Sequence, residues 1–247
     1  MQQYLSFLFV TLIVFIPQTV SGQTFQTGTT APTVIELYTS EGCSSCPPAD
    51  RFLADFAKQE DPFQSVIPLA YHVDYWNYIG WDDRFSRPEY SSRQRQHVRE
   101  GHTSQVYTPG FVVNNKEWRA WFRGNRQVPQ NQGAAGQLSA ELKNGILQAQ
   151  YTGHPSVKGP YLLHVAYLGM GITTQVKAGE NRGRTLNHDY VVLNTLSQIS
   201  QTNQWQLKLD SPPEQGQKQT AIALWVSPAH ELDVLQADAA LLEAGAF

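Results

Sequence analysis

Cys43 and Cys46 are the only two cysteines in 247 residues, and only Ser44 and Ser45 separate them. A framework of structural disulfides needs more cysteines, spread along the chain. A four-cysteine zinc site is out of reach for the same reason. Three chemistries remain open. The pair can switch between dithiol and disulfide, supply two sulfurs to a metal site completed by His or Asp, or form a small structural disulfide.

The elements around the pair favour reactivity. Thr33 to Tyr38 is rich in strand formers, and Pro48 to Ala57 carries Phe52, Leu53, Phe56 and Ala57 at helical spacing. The cysteines therefore fall between a strand end and a helix start. A helix N-terminus stabilises a thiolate through unpaired N–H groups and the helix dipole. Cys43, ahead of the helix, is expected to be the exposed attacking sulfur, with Cys46 resolving. Pro47 and Pro48 follow directly, and a proline beyond the first turn disrupts a helix. That moves the expected N-cap to Ser44 or Ser45. Glu41 would raise a nearby thiol pKa.

Several side chains are candidates for support. Glu36 interrupts the first strand and is placed either to take a proton from Cys46 or to pair with an arginine. His72 and Asp74 alternate on a second strand, Ser65 to Asp74, so they are expected to share a face. They could wall the site or form a buried His–Asp hydrogen bond. Trp76 belongs to an aromatic cluster with Tyr75, Tyr78 and Trp81. That cluster suits either an apolar platform for peptide substrates or packing between domains.

The order strand, helix, strand, helix, strand over residues 33–136 implies an α/β layer architecture, with Pro88 to Gly101 as the second helix. From Gln137 the pattern changes to successive strands separated by Gly, Pro, Asn and Asp. This predicts an all-β sandwich over residues 137–247, with Leu138 to Leu147 as an alternative helix. Gln127 to Gly136 reads as the linker.

Leu5 to Ile16 is an apolar run followed by Pro17 and by small residues up to Gly22, the pattern of a signal peptide over residues 1–22. It is shorter than the ~20 residues of a membrane span, so no stable span is expected after cleavage. Residues 23–32 read as a flexible leader. The implied location is secreted or periplasmic, where disulfides persist. A net charge of −3 argues against a nucleic-acid surface.

The motifs carry a resemblance. Val34 to Cys46 and Val106 to Val113 resemble the thioredoxin superfamily. The longer pattern comprises Glu36-Leu-Tyr-Thr-Ser-Glu-Gly-Cys-Ser-Ser-Cys-Pro-Pro-Ala-Asp50, His72-Val-Asp-Tyr-Trp-Asn-Tyr-Ile-Gly-Trp-Asp82, Tyr107-Thr-Pro109 and Gly179-Glu-Asn-Arg-Gly-Arg-Thr-Leu186. It is similar to a secreted thioredoxin-like family catalogued as domain of unknown function 1223. The resemblance implies an α/β thioredoxin-like N-terminal domain and an exported location, not a reaction. It also implies a cis bond at Thr108–Pro109, facing the cysteines, with the Thr108 backbone pairing with a bound substrate chain. Thioredoxin's buried acid stands one position nearer its first cysteine than Glu36 does.

The expectation is thus an exported thiol–disulfide oxidoreductase. Cys43 and Cys46 would act on protein or peptide thiols together with a redox partner, with no cofactor or metal. The alternatives are a Cu(I)-binding protein that uses the same sulfurs with His72 or Asp74, and a binding module with a structural disulfide.

Overall fold

The computed structural model describes residues 22–247, except 65, 132, 134, 154–156 and 244. The expected signal peptide lies outside the described residues but for Gly22. Among the described residues no helix is long and apolar enough to cross a membrane.

Fourteen strands and two α-helices are described. The strands are β1 (Gln23–Gln26), β2 (Thr33–Thr39), β3 (Val66–His72), β4 (Gly110–Val113), β5 (Lys116–Glu117), β6 (Gln137–Lys143), β7 (Ile146–Thr152), β8 (Tyr161–Met170), β9 (Ile172–Gln175), β10 (Thr185–His188), β11 (Val191–Ser200), β12 (Gln204–Lys208), β13 (Gln219–Pro228) and β14 (Gln236–Leu241). The helices are α1 (Pro47–Ala54) and α2 (Pro88–Arg99).

The expected division into an α/β thioredoxin-like domain and a separate β-sandwich is overturned by one eight-stranded sheet. Its order is β14-β13-β8-β11-β3-β2-β4-β5, so strands from both halves of the chain form one surface. The join is a parallel pairing of β11 with β3, Val191 against Ala70, reinforced by Ala70 N donating to Tyr190 O at 2.9 Å. An edge of β3 left unpaired would expose a row of backbone donors and acceptors; β11 pairs with that edge at Ala70. A four-stranded antiparallel sheet, β1-β6-β7-β12, stands apart, and β9 with β10 forms a third, two-stranded sheet. Gln23–Gln26, expected within the flexible leader, is β1 and pairs with β6. The 137–143 segment is strand, not helix, and its alternating burial has the period of two that a one-sided strand requires.

The long sheet serves two cores. On β13, Ala221, Ala223 and Trp225 join one core with β2, β3, β4 and α1, while Ile222, Leu224 and Val226 join a second core against the four-stranded sheet. This double burial explains why Ala221 to Val226 is apolar without interruption.

The two helices lie against opposite faces of β2 and β3. Thr39 Oγ1 donates to Asp50 Oδ1 of α1 at 2.8 Å, and Thr39 pairs with His72 in register. Tyr71 meets Tyr90 of α2, and Glu36 meets Arg93 of α2. Strand alternation therefore puts Thr39 and His72 on the α1 face and Glu36, Tyr38 and Tyr71 on the α2 face.

Candidate functional site

Cys43 and Cys46 are bonded to each other, with their Cα atoms 5.4 Å apart. They sit where the chain leaves the carboxyl end of β2 and enters α1. Cys46 itself is the N-cap of α1, with Pro47 and Pro48 in the first two helical positions. This corrects the expected cap at Ser44 or Ser45. Proline is tolerated there because those N–H groups would have no helical partner anyway. The consequence is chemical: the start of α1 has fewer free amide donors to stabilise a thiolate.

Both sulfur residues are 0% exposed, whereas Ser44 and Ser45 are exposed. The expectation of an exposed Cys43 is therefore not met. The turn between β9 and β10 holds the loop that carries Cys43. Asn181, in that turn, donates Nδ2 to Glu41 O at 2.8 Å and to Cys43 O at 3.0 Å.

Trp76 links the cysteine loop to Thr108. A Cβ on Gly42 would stand 3.1 Å from Trp76 Cβ, so Gly42 lies flat against that side chain. Trp76 Nε1 donates to Thr108 Oγ1 at 2.7 Å. The Thr108–Pro109 bond is cis, and Pro109 is buried. Of the expected site residues, Cys43, Cys46, Trp76 and Thr108–Pro109 thus form one connected region.

Glu36 and Asp74 do not join it. Glu36 accepts from Arg93 Nη2 at 2.6 Å, Arg93 Nε at 2.8 Å and Tyr38 Oη at 2.7 Å, and lies 3.0 Å from His97 Nε2. Burial pushes its carboxyl up, but Arg93 and His97 outweigh that and hold it well below the usual carboxylate range. It is an ion-paired carboxylate on the α2 face, across the sheet from α1. Asp74 lies past the end of β3 and pairs with Ser91 of α2. His72 and Asp74 therefore do not share a face.

His72 has another partner. Its Nδ1 lies 2.7 Å from Asp83 Oδ2, which also accepts from Glu41 N at 2.8 Å. Glu41 Oε2 accepts from Trp81 Nε1 at 2.8 Å, and Glu41 Oε1 lies 3.3 Å from His188 Nε2. Glu41, Asp50, His72, Asp83 and His188 are all buried on the α1 side. Charged side chains are rarely this buried unless paired. Burial opposes the charge on His72, but Asp83 outweighs it and raises the His72 pKa to about 9. Burial likewise opposes ionisation of Asp83 and Glu41; His72 pulls the first down, and His188 the second. Burial leaves Asp50 raised. Asp50 is four residues past Cys46, so the two share a helix face one turn apart. The sequence reading missed Asp50, Asp83 and His188 as members of this cluster. Only Asp50, one helical turn past Cys46, carried a local signal. Among the described residues no group of three or more His, Cys, Asp or Glu is disposed to hold a metal ion.

The family model described as protein of unknown function (DUF1223) matches residues 34–227, and the chain belongs to that family. No curated protein matches. A crystal structure of a protein from Agrobacterium tumefaciens is similar in fold, with a TM-score of 0.60 and 24% identity, over 88% of this chain and 100% of the other. HBP35 of Porphyromonas gingivalis is similar with a TM-score of 0.55 and 17% identity, over 87% of this chain and 76% of the other. Both likenesses concern the fold alone.

Proposed function

We propose that this chain is an exported thiol–disulfide oxidoreductase acting on protein or peptide thiols and disulfides, and coupled to a redox partner. The observation that carries the reading is the Cys43–Cys46 disulfide between the end of β2 and the N-cap of α1, with Trp76 set between Gly42 of the cysteine loop and Thr108. In exchange, a substrate thiolate attacks Cys43 Sγ, and the S–S electron pair leaves to Cys46 Sγ, which takes up a proton. A second substrate thiolate then attacks the substrate sulfur of the mixed disulfide and expels Cys43 as thiolate, leaving a substrate disulfide and a reduced pair. In the opposite direction the Cys43 thiolate attacks a substrate disulfide and one substrate thiolate leaves. The Cys46 thiolate then attacks Cys43 Sγ to expel the other and re-form the Cys43–Cys46 bond. Thr108 and Pro109 would line the approach. Export to a secreted or periplasmic location follows from the apolar leader and suits a persistent disulfide.

One observation favours a second reading, a binding module with a structural disulfide: neither sulfur is exposed. Trapping separates the two. Cys46→Ala, incubated with an unfolded protein carrying an activated disulfide, should accumulate a mixed disulfide on Cys43. Cys43→Ala should accumulate much less. Equal and negligible trapping by both variants would favour the structural disulfide.

A further inference from the structure

The enclosed sulfurs require a movement before exchange, and one segment makes the contacts that close over the cysteine loop. Strands β9 and β10 belong to neither large sheet, and the turn between them rests on the cysteine loop. Asn181, 0% exposed, spends both amide hydrogens on the carbonyls of Glu41 and Cys43. Arg184 Nη1 donates to Asn181 Oδ1 at 2.9 Å, which fixes the amide's orientation. Glu180 Oε2 accepts from Ser44 N at 3.1 Å. Gly179, at φ +71°, lets the turn approach closely: a Cβ there would stand 3.0 Å from Ile79 Cδ1. Ile79 Cδ1 is also 3.2 Å from the Cβ position of Gly42, so this one side chain touches both the turn and the cysteine loop.

We propose that the turn from Gly179 to Arg184 is a clasp that closes the Cys43–Cys46 pair, with Asn181 as the positioning residue that holds it and Glu180 as a charge that quiets Cys43. The proposal rests on the exchange reading. Pro47 and Pro48 have no N–H; Ser45 Oγ lies 3.3 Å from Cys43 Sγ, and Ser44 N, the amide next to Cys43, is taken by Glu180. A carboxylate beside a thiol also disfavours its thiolate. Lifting the turn therefore does two things: it uncovers the sulfurs, and it returns a donor to Cys43 while removing a negative charge. A substrate chain that supplies its own acceptor to Ser44 N, or its own donors to the Glu41 and Cys43 carbonyls, would displace the clasp.

The test uses the oxidised full chain and an uncharged phosphine, tris(3-hydroxypropyl)phosphine. Phosphorus attacks one sulfur, the S–S bond breaks, and water then gives phosphine oxide and two thiols. The phosphorus is oxidised, the two sulfurs are reduced, and water supplies the oxygen and both hydrogens. Asn181→Ala should be reduced about tenfold faster than the wild-type protein, the scale of losing a buried hydrogen-bonded anchor. Arg184→Met should act in the same direction and decides the matter if Asn181→Ala does not fold. Folded variants reduced within twofold of wild type would overturn the clasp. In the reduced protein, Glu180→Gln keeps an acceptor but loses the charge, and should shift the pH midpoint of Cys43 alkylation downward. An unchanged midpoint would overturn the role given to Glu180. The phosphine needs no protein substrate, so a clasp that fails and an exchange activity that fails are read separately.

Discussion

His72 Nδ1 lies 2.7 Å from Asp83 Oδ2 in an interior where neither side chain is exposed. The His72 pKa is raised from 6.5 to about 9 in the folded chain, so its contribution to stability is fully present below about 6.5 and is lost as pH rises through about 9. Urea unfolding between those limits should show stability falling with pH, by up to about 3 kcal/mol at ~1.4 kcal/mol per pH unit. Asp83→Asn should flatten that slope. A flat profile in the wild-type protein would mean that His72 is neutral when folded.

Glu36 supplies a contrasting case. Glu36→Gln leaves Arg93 buried without its anion, which should cost about 3–5 kcal/mol in unfolding free energy. The variant should still be reduced by phosphine at the wild-type rate, because Glu36 faces α2 and not α1. A strong change in disulfide reactivity without loss of stability would put Glu36 back into the site.

Trp76→Phe removes the N–H that reaches Thr108 but keeps the Cβ that stands against Gly42. Losing one hydrogen bond, worth about 1 kcal/mol, should lower the melting temperature by roughly 2–4 °C in a chain of this size. No change in melting temperature would show that the bridge between the cysteine loop and Thr108 contributes nothing.

Local features of the fold were readable from residues alone. The apolar run Ala221 to Val226, the polar helix from Pro88 and the strand–cysteine–helix order all left clear patterns. The pairing of β11 with β3 left none. It joins residues more than a hundred positions apart, and buried strands look alike whichever neighbour they take. Leu138 to Leu147 was ambiguous because Leu138, Ala140 and Leu142 alternate as in a strand while Leu138 and Leu142 also have the i, i+4 spacing of a helix. Gln23–Gln26 looked like leader, since a single phenylalanine among polar residues carries too little signal for a strand.

The site divides in the same way. Cys43 and Cys46 stood out through their type and their place between a strand and a helix, and Thr108–Pro109 through the thioredoxin resemblance. Asp74 was misplaced because β3 ends at His72 and the chain then turns towards α2. Asp83 and His188 reach the buried cluster only through the tertiary fold, from segments with no pattern of their own. Asn181 was visible only as part of the Gly179 to Leu186 motif, and its role appears once that turn is seen against the Cys43 carbonyl.

The reduction potential of the Cys43–Cys46 pair, measured by equilibrating the native full chain with dithiothreitol buffers, tests the proposed activity most directly. Reversible reduction at a potential above about −300 mV, without unfolding, is the result the account predicts. A potential well below about −300 mV, or reduction that occurs only with unfolding, would contradict it and leave the disulfide as a structural link.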